Sequence, residues 1–318
     1  MDLDLFVDEF HRSALAALPP DFMDLSSIST ARERILGVLD AARQESLPEA
    51  IAIDDVWVPG LSDGPDVRVK VYRPQCISRG VGALYWIHGG GRVMHSADID
   101  DLRCAMRAVS HGCVVVSVDY RLAPEHRAPS QVDDCYAGLQ WLDEQSSTLG
   151  VDRHRLVIGS SAGGALAAGT ALRARDHGGP AVAAQLLAAP MIDHRNETDS
   201  SYAIVDRRVW NREASFAAWR AYLGADRPTI YTSPAIAEDL SELPRTYISV
   251  GSLDMFLEED VAYAQRLMAS GVPTDLHVYA GAFHGSTRLV PQSPLSKRWT
   301  AGEEAFLTEL LSENGVVI

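Results

Sequence analysis

The chain has 318 residues, 47% hydrophobic and 22% charged, a composition that excludes collagen-like, coiled-coil and disordered proteins. Its 43 acidic residues outnumber 28 lysines and arginines, for a formal net charge of −15, so the basic stripe needed by a nucleic-acid or anionic-membrane binder is missing. No apolar stretch is long enough to span a bilayer, and the start MDLDLFVDEF is acidic where a secretion signal is basic. A cytoplasmic protein with no stable membrane insertion is expected.

Residues 1–50 read as helices without a strand, marked by Leu3, Phe6, Phe10, Leu15, Ile35, Val38, Leu39 and Ala42, and are expected to form an N-terminal helical cap segment. From there short apolar runs alternate with amphipathic ones, the pattern of parallel strands joined by helices. Strands are expected at Ile51–Val58, Val67–Tyr72, Ala83–Ile87, Val114–Val118, Arg155–Ile158, Ala184–Ala188, Tyr247–Val250 and Leu276–Tyr279. The first two alternate polar and apolar residues and suit an antiparallel edge, whereas the later runs suit strands buried on both faces. Helices are expected at Asp98–Val109, Gln131–Gln145, Gly163–Arg175, Leu257–Ser270 and Ala301–Leu311. Residues 195–230 look helical and interrupt the alternation, so they are expected to be inserted cap helices. The core then falls into a first part, 51–194, and a second part, 231–318. The cysteines Cys76, Cys104, Cys113 and Cys135 form no CxxC and read as reduced core thiols.

Three places carry chemistry. Gly159-Ser160-Ser161-Ala162-Gly163 follows an apolar strand and opens a helical run. A nucleophile on so tight a strand-to-helix turn needs small neighbours, and the helix N-terminus offers N–H groups to a developing oxyanion. The register selects Ser161, with glycines two before and two after. His88-Gly89-Gly90-Gly91 at another strand end would arise by chance about 0.004 times in a chain of this composition. Its bare amides, with that of Ala162, would form an oxyanion hole. A phosphate loop would need a G-x-G-x-x-G or GK[ST] ending, and neither follows.

A serine needs a base, and the base an orienting acid. Among the histidines after Ser161, only His284 sits just past the last strand, in a glycine-flanked loop, while His277 lies within that strand. Asp254 follows the strand YISVG at its C-terminal end, where such sheets place catalytic groups. Glu258, Glu259 and Asp260 are rivals inside the next helix, where a negative first turn would suit the helix dipole. His88, His95 and His111 lack metal-ligand spacing.

The chain resembles the hormone-sensitive-lipase-like family of α/β-hydrolases, in its bacterial carboxylesterase branch. The residues that carry this are HGGG at His88–Gly91, DYRLAPEH at Asp119–His126, GSSAGG at Gly159–Gly164, SLDMFLEED at Ser252–Asp260 and GAFHG at Gly281–Gly285, over about residues 65 to 312. The resemblance implies an α/β-hydrolase fold, a mostly parallel eight-stranded sheet flanked by helices under a helical cap. It also implies hydrolysis of a small-molecule carboxylic ester without metal or organic cofactor. Ser161 would be nucleophile, His284 base, Asp254 its acid, and Gly89, Gly90 or Gly91 with Ala162 the oxyanion hole. A lactonase, amidase or deacetylase with the same triad, a non-hydrolysing receptor and a homodimer stay open. Arg92 stands where an aromatic residue usually follows HGGG. It is read as a contact for an anionic substrate group, or else as a surface arginine or one paired with an internal carboxylate. Arg121 and Glu125 are expected to brace the loop under the site. Trp210, Phe216, Trp219 and Tyr222 are expected either to wall the substrate pocket or to dock the cap.

Overall fold

The computed structural model describes residues 1–42 and 46–311; the side chains of Val38, Leu39 and Ala42 lie outside the described residues. Eight strands form one sheet: β1 (Ile51–Val58), β2 (Val67–Pro74), β3 (Val81–Ile87), β4 (Val114–Asp119), β5 (Val151–Ser160), β6 (Ala184–Ala188), β7 (Arg245–Leu253) and β8 (Thr274–Phe283). Their order is β1-β2-β4-β3-β5-β6-β7-β8. β2 pairs antiparallel with β1 and β4, and every other pair is parallel. The eight expected strands are all present, several longer at their ends because ladder hydrogen bonds carry past the last apolar residue.

Hydrophobicity explains the order. β3 and β4 are buried almost throughout, as parallel strands covered on both faces must be, whereas β1 at the edge is largely half-buried or exposed. The main helices are α1 (Ile28–Ala42), α2 (Asp101–His111), α3 (Ser130–Glu144), α4 (Ala162–Asp176), α5 (Arg212–Leu223), α6 (Leu257–Ala269) and α7 (Pro294–Leu311). α3, α4 and α6 pack on the sheet through a cluster that includes Val116, Leu139, Leu166 and Leu267. α2 and α7 share a second cluster with Trp86, Cys104 and Phe306. α7 starts two turns before the expected Ala301, because Pro294 supplies a preset φ at its first position. Cys104, Cys113 and Cys135 are buried free thiols, but Cys76 is exposed. It follows β2 on a loop, where burial is not required.

α6 corrects a second expectation. Its first-turn acids do not simply face water: Glu259 is buried and accepts the backbone N–H groups of Ile192 (3.0 Å) and Asp193 (3.2 Å). Asp260 is fully buried, and neither of its carboxyl oxygens has a hydrogen-bond partner among the described residues. Burial, reinforced by Glu259 and Asp254, pushes the Asp260 carboxyl well above its usual range, so the folded chain holds it neutral. The unfolded chain releases that proton from about pH 4 upward. Over that span the native state binds the extra proton, so stability falls as pH rises. Asp260→Asn removes this dependence: its melting temperature relative to the parent should climb by a few degrees between pH 5 and pH 8. A thermal melt series checks this, and a difference that does not change with pH would contradict it.

Candidate active site

Ser161 sits at the turn between β5 and α4 with φ +57° and ψ −123°, a conformation that costs an L-residue about 1–3 kcal/mol. The surrounding backbone holds it there. The Ser161 N–H donates to the Ala188 carbonyl (2.8 Å), and the Ser161 carbonyl accepts from Met191 N–H (3.0 Å). The flanking glycines are required by close approach. A Cβ on Gly159 would overlap the Gly163 carbonyl, and one on Gly163 the carbonyls of Ile87 and His88.

The sheet register delivers the partners. Leu253 at the end of β7 pairs with Phe283 at the end of β8, so the next residue of each strand, Asp254 and His284, emerges side by side. Asp254 Oδ2 accepts from His284 Nδ1 at 2.7 Å, and His284 Nε2 lies 2.9 Å from Ser161 Oγ. With Nδ1–H committed to the carboxylate, Nε2 is left to accept the serine O–H. Asp254 is 1% exposed, and its Oδ1 accepts the Phe256 N–H at 3.1 Å. The Phe256 ring meets the imidazole edge-on at 5.1 Å, and Trp210 flanks it at 6.1 Å. The rival acids take other partners: Glu258 accepts the Ser200 N–H, while Glu259 and Asp260 are placed as described above. His277 stacks on Tyr247 along β8. Among the described residues no group of three or more His, Cys, Asp or Glu could hold a metal ion, so His88, His95 and His111 do not form a metal cluster.

The glycine loop is oriented from behind. The His88 ring donates from Nδ1 to the Gly89 carbonyl (2.7 Å), and the Tyr120 hydroxyl donates to the His88 carbonyl (2.9 Å) while its ring stacks on His88 at 4.1 Å. In a trans peptide the C=O and N–H point opposite ways. Holding these two carbonyls therefore turns the Gly89 and Gly90 N–H groups to the other side of the loop. Gly89 lies against the turn that carries Ser161, since a Cβ there would be 3.4 Å from Ser161 Cβ and 2.9 Å from the Ser160 carbonyl. None of the Gly89, Gly90 and Gly91 amides donates to a backbone carbonyl among the described residues. Ala162, as the first residue of α4, has no intrahelical acceptor for its own N–H. Burial keeps His88 and His95 below the usual histidine range, His95 at about 3, so both stay neutral beside these amides.

A cavity of about 220 Å³ opens over Ser161, lined by Gly89, Gly90, Trp210 and His284 together with Leu18, Phe22, Met23 and Ile35 from the N-terminal segment. Both segments outside the α/β alternation therefore cover the site. Arg32 of α1 ties the first to the body, donating to the Val93 and Ala123 carbonyls and pairing with Glu125. Glu125 thus fastens the N-terminal segment, while Arg121 braces the loop by donating from its backbone N–H and guanidinium to Asp134 of α3.

Of the expected pocket residues, Trp210 lines this cavity, and a Cβ on Gly91 would overlap its ring. Arg92 and Trp219 line neither this cavity nor the larger one behind His284, which corrects the substrate-contact expectation for both and leaves the docking alternative for Trp219. The Arg92 guanidinium is fully buried over the Trp219 (4.1 Å) and Tyr222 (4.6 Å) rings of α5 and donates to the Met191 carbonyl. It is neither a substrate contact nor half of an ion pair, but a bolt between cap and body. A desolvated cation–π contact of this kind contributes about 2 kcal/mol. Phe216 stacks with Arg212.

The alpha/beta hydrolase fold family matches residues 84–288, which span the glycine loop, Ser161, Asp254 and His284. The chain belongs to this family, in its hormone-sensitive-lipase-like branch. It is similar to an esterase (LipI) of Mycobacterium tuberculosis, 34% identical over 88% of this chain and 87% of that protein. It is also similar to a carboxylesterase (NlhH) of Mycobacterium tuberculosis, 33% identical over 96% of both. Among solved structures it is similar to a bacterial heroin esterase, with a TM-score of 0.93 and 35% identity over 97% of this chain and 99% of that one. No helix among the described residues is long and apolar enough to cross a membrane.

Proposed function

We propose that the protein is a serine carboxylesterase that hydrolyses short- to medium-chain esters through an acyl-enzyme on Ser161. The observation that carries this is the hydrogen-bonded run from Asp254 through His284 to Ser161 Oγ, set beside amides with no backbone acceptor. The esterase names of similar proteins support it.

The substrate carbonyl oxygen enters between the N–H groups of the glycine loop and Ala162. Ser161 Oγ attacks the carbonyl carbon while His284 Nε2 takes its proton, and the negative charge moves to the oxygen held by the amides. Each such donor contributes about 3–4 kcal/mol to the transition state. The imidazolium, steadied by Asp254, protonates the leaving alkoxide as the tetrahedral adduct collapses to an acyl-serine. Water then enters, gives its proton to His284 and releases the acid. The cap cavity, about 220 Å³, is below the roughly 300–1,000 Å³ of drug-sized pockets. This supports short chains over long triglycerides.

Mixing the purified chain with p-nitrophenyl butyrate tests the reading. The expected result is a burst of p-nitrophenol equal to the enzyme present, followed by slower steady turnover if deacylation limits, or continuous catalytic release if it does not. No release above the buffer rate would overturn it.

A further inference from the structure

A second, larger cavity of about 480 Å³ lies between α2, α7 and the turn after His284. It reaches Ser160, Asp254 and His284, and shares Ser160, Phe283, His284, Gly285 and Arg288 with the cap cavity. A group seated in it therefore borders the reacting centre. Its walls are more polar than those of the cap cavity, and three arginines are among its lining residues: Arg103, Arg107 and Arg288.

The hydrogen bonds there do not balance. Every facing carboxylate oxygen is taken. Glu303 accepts from Trp299 Nε1 (2.9 Å) and Arg107 Nη2 (2.8 Å), and Glu304 from Arg107 Nε (2.8 Å) and His111 Nε2 (2.6 Å). Asp254 accepts from His284 and Phe256, and Arg288 is spent on Asp100 behind it. The donors are in surplus. Arg107 Nη1 and the Ser286 hydroxyl have no hydrogen-bond partner among the described residues, but both are closed off from the cavity. The Arg103 guanidinium lies 5.7 Å from the Trp86 ring and forms no ion pair with a described residue. Arg103 is thus the lining guanidinium without an ion pair to a described residue, half-buried and open to a ligand that brings acceptors.

We propose that this cavity is a subsite for a carboxylate carried on one half of the ester, so that half-esters of dicarboxylic acids or acyl esters of hydroxy acids are the preferred substrate class. This rests on the esterase reading above. A carboxylate supplies the acceptors that Arg103 lacks, in the planar, paired geometry a guanidinium matches. Burial, Arg288 and Arg107 work against the charge on Arg103 while Asp100 and Glu303 support it, and an anion in the cavity adds to that support.

The test compares kcat/KM in a pH-stat for two matched pairs: monoethyl adipate with ethyl hexanoate, and 6-acetoxyhexanoate with hexyl acetate. One pair places the carboxylate on the acyl half and the other on the alcohol half. In at least one pair the anionic ester should exceed its neutral counterpart about ten- to a hundredfold, and Arg103→Met should cut that ratio at least about tenfold. Because the ratio is taken on one preparation, differences in folded fraction cancel. A ratio within about twofold of one in both pairs, or a preference untouched by Arg103→Met, overturns the inference while leaving the esterase reading in place. If no ester is hydrolysed, the esterase reading fails and takes this inference with it.

Discussion

Ser161→Ala should lower kcat for p-nitrophenyl butyrate on the order of a hundred thousand- to a millionfold, with KM and melting temperature close to the parent's. In the proposed mechanism the kinetic loss is large because the hydroxyl is the attacking atom, and His284 and Asp254 have nothing to activate without it; members of such a unit fail together. What survives is the contribution of the oxyanion donors and of binding. Stability should hold because the strained turn is kept by backbone bonds to Ala188 and from Met191, which alanine preserves along with the Cβ. Steady-state kinetics with a thermal melt on the same preparation check both halves. Turnover within tenfold of the parent would move the nucleophile elsewhere.

Asp254→Asn should cost about ten thousandfold in kcat, again with little change in KM. The reason is local. The Phe256 N–H donates to Oδ1, so an asparagine keeps its carbonyl oxygen there and turns its NH₂ toward His284. Two donors cannot share a hydrogen bond, so His284 shifts to the tautomer with Nδ1 bare and Nε2 protonated. Nε2 then donates to Ser161 instead of accepting from it, and the base is lost without any change in size. A loss smaller than about a hundredfold would mean that His284 does not depend on Asp254 for its tautomer.

The strand positions and the two strand-end residues were legible because buried parallel strands read as unbroken apolar runs and because glycines mark where the backbone must pass closely. Asp254 and His284 were found one by one from strand ends. That they meet follows from the pairing of Leu253 with Phe283, a register no single segment encodes. Tyr120 was hidden inside DYRLAPEH, since its work is done on a loop 32 residues earlier in the chain. The cap was read less well. Arg92 next to a glycine loop suggests a ligand contact by sequence adjacency, but its positive φ of 64° and the rings of Trp219 and Tyr222 carry the side chain into the cap interface. Leu18, Phe22 and Met23 line the cavity from a segment whose apolar positions say only that something is covered. The acids of α6 misled for a related reason: helix position predicts dipole pairing, but only tertiary packing shows that Glu259 holds the loop after β6.

The central claim is that Ser161 is the one activated hydroxyl, and covalent labelling tests it most directly. The chain is incubated with a p-nitrophenyl alkylphosphonate, digested and mapped by mass spectrometry. The account predicts one phosphonyl group per chain, on Ser161, with labelling slowed by orders of magnitude in Asp254→Asn and abolished in Ser161→Ala. A label on another residue, or an undiminished label in Ser161→Ala, would contradict it.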